Sequence, residues 1–184
     1  MAQRKRTAIE EAAFEVASGS IEDTRAFGEQ VGRLLKAGDV IALFGELGSG
    51  KTTFIQGLAR GLGRDPETIK SPTFVLMRAY SGEPALIHID GYRIEGPPSV
   101  TWLDLDLVFS PGAITVIEWA ERFSGLLPDS SIEIRLSHVS ANRRKLLMIP
   151  SSERAKAVIV TLQELATHHP PLATPKEPHA APRD

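Results

Sequence analysis

The sequence predicts an α/β fold, one domain in which a mixed parallel and antiparallel sheet is flanked by helices. Three observations carry this. Val40-Ile41-Ala42-Leu43-Phe44 is continuously apolar and runs into Gly45, the pattern of a strand buried on both faces. Residues 53–62 set Phe54, Ile55, Leu58 and Leu62 on one helical side and stop at Gly63. Further along, apolar and β-branched runs alternate with turn signals, some close enough in sequence for hairpins. At 184 residues the chain has the length of one ordinary domain, which buries roughly 70% of the surface its unfolded chain exposes.

Taken in order, residues 1–12 read as a polar, charged, flexible leader, followed by a short strand over 13–18. A helix comes next. Asp23 or Thr24 is its expected N-cap, and Phe27, Val31, Leu34 and Leu35 recur at helical spacing until Gly38. The strand before Gly45 and the helix over 53–62 complete a strand, glycine-rich loop and helix. Residues 74–80 and 86–90 read as two strands joined by the turn Ser81-Gly82-Glu83-Pro84. Residues 92–111 are irregular, with Gly96-Pro97-Pro98 as a breaker and a short helix over 100–108. Residues 113–119 form another buried strand. Residues 131–136 and 144–149 form a final antiparallel pair around a polar turn at 140–142, and a last helix covers 155–165. Residues 168–184 hold five prolines and three histidines without apolar period, so the expected layout is one folded domain over 13–166 and a flexible tail over 167–184.

Composition narrows the function classes. A hydrophobic fraction of 42% and a charged fraction of 24% are those of a globular protein. No stretch approaches the ~20 apolar residues that span a bilayer, and Glu10 and Glu11 fall where a secretory signal needs apolar residues. No membrane association is expected. The absence of cysteine excludes disulfides and zinc-thiolate sites and fits a reducing cytoplasm. A net charge of -2 gives no global pull toward nucleic acid, so any RNA is expected to act indirectly, through a local patch or a partner.

The chemistry concentrates in Gly45-Glu46-Leu47-Gly48-Ser49-Gly50-Lys51-Thr52, which matches G-x-x-x-x-G-K-[ST]. Glycines let successive backbone N–H groups turn inward around phosphates while the following helix aims its positive dipole end at them. Leu47, Gly48, Ser49, Gly50, Lys51, Thr52 and Thr53 are therefore the expected nucleotide-binding residues. Lys51 reaches the β and γ phosphates, and the Thr52 hydroxyl ligates Mg2+, a cation that takes oxygen ligands and keeps several waters. ATP or ADP with Mg2+ is the expected cofactor set. Such a site also needs a carboxylate at the end of a neighbouring strand. Asp90 closes Leu86-Ile87-His88-Ile89-Asp90, and Glu118 closes Ala113-Ile114-Thr115-Val116-Ile117-Glu118. Thr73, in Ser71-Pro72-Thr73-Phe74, could sense the γ-phosphate, although Ser-Pro before a strand is also ordinary turn chemistry. His88 reads as a core or sheet-face histidine, and Trp119 and Phe123 as packing.

These motifs, in this order, resemble the bacterial ATPase family of tRNA threonylcarbamoyladenosine biosynthesis called TsaE or YjeE. Ser20-Ile21-Glu22-Asp23-Thr24 is similar to the family's S-x-x-x-T, GELGSGKTT at 45–53 to G-D-L-G-A-G-K-T-T, and Ser71-Pro72-Thr73-Phe74 to S-P-T-F. His88-Ile89-Asp90-Gly91-Tyr92-Arg93 resembles H-x-D-L-Y-R, and Val116-Ile117-Glu118-Trp119 resembles V-x-E-W. The resemblance implies a P-loop fold with a partly antiparallel sheet. It implies Thr52 and Glu118 on the magnesium side, and Asp90 acting near the γ-phosphate on a water. Thr73 would belong to a mobile switch, and Thr24 and Arg143 would lie near the adenine. It further implies cytoplasmic ATP hydrolysis with TsaB and TsaD partners, which themselves install threonylcarbamoyl on adenosine 37 of tRNAs reading codons that begin with A. Three departures stand out: Glu46 and Ser49 replace Asp and Ala, Gly91 replaces a leucine that would anchor Asp90, and residues 95–102 lack the usual acidic-leucine stretch. Two other classes fit a bare P-loop: a small-molecule kinase, which calls for an arginine-rich lid, and a nucleotide-gated binding module.

Overall fold

The structure, a computed structural model, describes residues 13–94 and 104–168. The expected leader over 1–12, the loop over 95–102 and the tail beyond His168 lie outside the described residues.

Seven strands form one sheet in the order β1-β7-β6-β2-β5-β4-β3. They are β1 (Phe14–Ser18), β2 (Val40–Phe44), β3 (Met77–Tyr80), β4 (Ala85–Asp90), β5 (Ala113–Glu118), β6 (Ile132–His138) and β7 (Arg144–Ile149). The centre is parallel: β2 pairs in parallel with β5 and β6, and β4 with β5. Both margins are antiparallel, through β1 with β7, β7 with β6, and β3 with β4. The helices are α1 (Ile21–Leu34), α2 (Lys51–Gly61), α3 (Leu105–Val108) and α4 (Glu153–His168). The expected fold class, a mixed sheet flanked by helices, is the one observed.

Strand alternation divides the core. Ile41 and Leu43 of β2, Leu86 of β4, and Ile114 and Val116 of β5 pack with Phe27, Val31, Phe54, Ile55 and Leu58 of α1 and α2, and with Val158 and Leu162 of α4. Val40, Ala42, Ile87, Ile89 and Ile117 point the other way and meet Val108, Ala120 and Phe123. Asp39, buried at the start of β2, is gripped by Arg154 of α4 through Nε at 2.8 Å and Nη2 at 2.6 Å. The same Nη2 donates to the Leu34 carbonyl at 2.6 Å, so one guanidinium joins α1, β2 and α4.

The helix pair α1 and α2 packs backbone to backbone. A Cβ at Gly57 would stand 2.0 Å from the Arg25 carbonyl oxygen, and one at Gly28 would stand 2.2 Å from that of Phe54. Only glycine permits this approach.

Three expectations are corrected. Ser20, not Asp23 or Thr24, caps α1: its Oγ accepts from Asp23 N at 3.0 Å while the Asp23 carboxylate accepts from Gly19 N at 2.9 Å. The first bond satisfies an N–H group that the first helical turn leaves open, and the second ties the preceding Gly19 to the helix. The strand expected over 74–80 begins only at Met77, because Val75 and Leu76 N–H groups turn back to the Pro72 carbonyl at 2.9 and 2.6 Å. The helix expected over 53–62 starts two residues earlier, at Lys51, directly from Gly50.

Candidate functional site

Beyond β2 the chain makes a loop that only glycine can shape at two points. Gly50 has φ 102° and leads straight into α2 without a side-chain cap. A Cβ at Gly45, at φ 145°, would come within 2.3 Å of the Leu136 carbonyl oxygen. The first intrahelical bond runs from Phe54 N to Gly50 O at 2.9 Å. The N–H groups of Lys51, Thr52 and Thr53 thus precede the helical ladder and sit at its positive end.

The loop floors a cleft of about 350 Å³ lined by Leu47, Gly48, Gly50, Lys51, Thr52, Thr53, Ser71, Thr73, Asp90, Tyr92, Glu118 and Trp119. Two strand ends deliver the acids. β4 and β5 run parallel in a register that sets Asp90 opposite Glu118, so both carboxylates emerge at the same edge of the sheet, and both are buried. Thr52 Oγ1 donates to Glu118 across the cleft, at 2.9 Å to Oε1 and 3.1 Å to Oε2. Asp90 Oδ2 accepts from the hydroxyls of Ser71 and Thr73, each at 2.5 Å, and Oδ1 from Tyr92 N at 2.9 Å.

Lys51 Nζ donates to the carbonyls of Gly45 at 2.7 Å and Glu46 at 3.0 Å and stands 4.0 Å from the centroid of the Trp119 ring. Burial pushes its ammonium below the usual lysine range, and the nearby charges of Glu118, Glu121 and Asp90 oppose that shift. Trp119 holds this position with a left-handed backbone, φ 58°, directly after β5, and its ring packs 5.1 Å from that of Tyr92.

The donor set fits a hard divalent cation bound beside phosphates. Thr52 and Glu118 offer only oxygens and already share one hydroxyl proton, so a cation between them exchanges that bond for two oxygen contacts. The glycine cradle beside them supplies N–H groups but no bulk.

Most of the residues expected from the sequence meet here. Leu47, Gly48, Gly50, Lys51, Thr52, Thr53, Thr73, Asp90 and Glu118 all line the cleft. Ser49, Thr24 and Arg143 do not. The Ser49 side chain is fully buried, its Oγ without a hydrogen-bond partner among the described residues. Thr24 sits beneath the loop: its hydroxyl bonds Ser18 Oγ at 2.7 Å and the Ser20 carbonyl at 3.2 Å, and its methyl would be 3.7 Å from a Cβ at Gly50. Arg143 lies exposed in the β6–β7 turn, where its carbonyl accepts from Val139 N.

Trp119, read from the sequence as packing, instead lines the cleft; its position follows from the left-handed turn after β5, which spacing does not reveal. Nor does Gly91 loosen Asp90. A Cβ there would meet the Phe123 ring at 2.8 Å, so Phe123 fills the space a larger side chain would take, and three donors hold the carboxylate.

Comparison with known proteins agrees with this geometry. The family profile described as threonylcarbamoyl adenosine biosynthesis protein TsaE matches residues 18–146. The tRNA threonylcarbamoyladenosine biosynthesis protein TsaE of Treponema pallidum is 40% identical over 132 residues, covering 70% of this chain and 95% of that relative. The protein of the same name from Bacillus subtilis is 32% identical over 148 residues, covering 80% and 90%. The crystal structure of Bacillus subtilis YdiB superposes with a TM-score of 0.68 at 29% identity, covering 85% of this chain and 95% of that one. By sequence over most of its length and by fold, the chain belongs to the TsaE family, whose role lies in threonylcarbamoyladenosine formation on tRNA.

Proposed function

We propose that this chain binds ATP with Mg2+ and hydrolyses it in the cytoplasm to support threonylcarbamoyl modification of adenosine 37 in tRNA, with a TsaB–TsaD complex as partner and no direct contact to tRNA. The nucleotide-binding unit is residues 13–166. One observation carries the reading: Lys51, Thr52, Asp90 and Glu118 share one cleft with the open N–H groups of a glycine loop.

In this reading Lys51 leaves the Gly45 and Glu46 carbonyls and turns its ammonium to the β and γ phosphates, a charge-assisted contact that backbone N–H groups cannot replace. Thr52 and Glu118 hold Mg2+, which would neutralise charge on the phosphates and fix their orientation. Asp90, steadied by Ser71, Thr73 and Tyr92 N–H, orients the attacking water. Thr73 reports on the γ-phosphate because it shares Asp90 with that water. Adenine lies toward Thr24 and Arg143.

The test is labelled ATP incubated with the purified chain, with and without candidate metabolites. Free phosphate in both cases is expected. A labelled metabolite would make the chain a kinase, and bound but unhydrolysed ATP, with or without the partner complex, would make it a binding module.

A further inference from the structure

His88 is the polar intruder in the helix-facing side of the sheet. It shares that face with Leu86 on β4, stands opposite Val116 of β5, and is 0% exposed. Its Nε2 lies 2.9 Å from Glu118 Oε1. Its Nδ1 has no hydrogen-bond partner among the described residues. A buried ring with one bond and one open nitrogen costs free energy that an apolar side chain in the same place would not. Packing therefore does not account for a histidine here.

The single bond indicates what does. A hydrogen on Nε2 satisfies the carboxylate and leaves Nδ1 a bare lone pair, whereas the other tautomer would bury an N–H without an acceptor and set a lone pair against Oε1. Glu118 is thereby held from below by His88 and from the cleft by Thr52. If Thr52 turns to a cation, its bond to Glu118 goes, and His88 becomes the one described side chain still fixing the carboxylate's rotation.

We propose that His88 is a positioning residue, whose Nε2–H holds Glu118 in the orientation that magnesium-assisted nucleotide binding requires. The inference rests on the reading of the cleft as a magnesium–nucleotide site. Groups that orient a metal's carboxylate ligand typically change metal affinity by about 10- to 100-fold when removed.

The experiment is calorimetric titration of ADP into the full chain at a series of Mg2+ concentrations and in EDTA, with thermal unfolding of each variant alongside. His88→Leu should raise the Mg2+ concentration for half-maximal gain in ADP affinity by roughly tenfold or more. Its ADP affinity in EDTA should match that of the wild type, and its unfolding temperature should be unchanged or higher. His88→Gln should keep the wild-type Mg2+ dependence, because Gln carries a donor nitrogen as many bonds from Cβ as Nε2. His88→Asn, with its donor one bond shorter, should behave like His88→Leu. If His88→Leu does not fold, the Gln and Asn pair decides: equal Mg2+ dependence in the two would overturn the proposal, as would a folded His88→Leu with wild-type Mg2+ dependence. Wild-type ADP binding that ignores Mg2+ would instead remove the underlying reading of the cleft.

Discussion

Lys51 carries the charge that the glycine loop cannot supply, so Lys51→Ala should abolish phosphate release. It should weaken ATP binding by about 1.5–3 kcal/mol, the usual worth of a hydrogen bond to a charged group, without unfolding the chain. Phosphate assays and calorimetry check this; wild-type turnover with unchanged affinity would take the loop out of the mechanism. The lysine also gives a pH dependence. Its folded pKa lies below the ordinary 10.5 because burial strips water from the ammonium, so between the two values the unfolded chain binds more protons and stability rises with pH. Lys51→Met has no ionisable group here. The stability of the wild type relative to Lys51→Met should therefore increase as pH climbs toward 10.5, and a relative stability flat or falling across that range in urea denaturation would contradict the assignment. The two acids should separate as well. Glu118→Gln should raise the Mg2+ needed for hydrolysis, while Asp90→Asn should lower turnover at saturating Mg2+ and leave ADP affinity nearly intact. Identical mild effects in both would mean that other groups hold the metal and the water. Side-chain types were legible here: Lys51, Thr52, Asp90 and Glu118 stood out in the sequence by motif and strand end. His88 did not, because its bond to Glu118 spans thirty positions, and only the β4–β5 register brings the two together.

Among the elements, the contact of α1 with α2 makes the sharpest demand on the sequence. Replacing an interior helical glycine by alanine ordinarily favours a helix by about 1 kcal/mol. At Gly57 that gain should be overwhelmed, since the new Cβ would lie 2.0 Å from the Arg25 carbonyl oxygen and the rigid backbones must separate. Gly57→Ala should lose at least ~1–3 kcal/mol of stability, the usual cost of overpacking. Because α1 carries Thr24 beneath Gly50, nucleotide affinity should fall with it. Urea denaturation showing wild-type stability would mean that the two helices tolerate a wider spacing. The glycines of α1 and α2 were visible in the sequence, but their purpose was not, because nothing local says which helix faces which. The segment over 74–76 failed differently. Phe74, Val75 and Leu76 have the residue types of a strand, yet Pro72 accepts two N–H groups and Asp90 binds Ser71 and Thr73, and those contacts favour a turn. Phe74 is left 84% exposed, with the Arg93 guanidinium 4.3 Å above its ring.

At the scale of the molecule, the strand types were readable but the order β1-β7-β6-β2-β5-β4-β3 was not, since it depends on pairings between distant segments. Arg154 holds three such segments at once. Arg154→Met strands the buried Asp39 carboxylate and should cost about 3 kcal/mol, toward the low end for breaking a buried pair because the guanidinium is partly exposed. Denaturation at neutral pH tests it, and a shift below about 0.5 kcal/mol would assign the pair to the weak surface class. Turnover by the isolated chain should be slow. Apart from Lys51, no cationic side chain among the described residues lines the cleft, and a partner-supplied arginine is worth roughly 10³ to 10⁵ in rate. Phosphate release should therefore rise on adding a TsaB–TsaD complex, which should bind more tightly with a non-hydrolysable ATP analogue than with ADP. Equal affinity in both states and fast hydrolysis by the chain alone would refute that coupling. The resting position of Lys51 has one more consequence. Its bonds to the Gly45 and Glu46 carbonyls must be given up before the ammonium can reach a phosphate, so every incoming anion has to offset their loss. A ligand offering a single phosphate meets that threshold poorly, whereas a chain of phosphates draws on the lysine, the loop N–H groups and the helix end together. The empty protein should thus ignore millimolar inorganic phosphate and AMP while still answering to ADP and ATP.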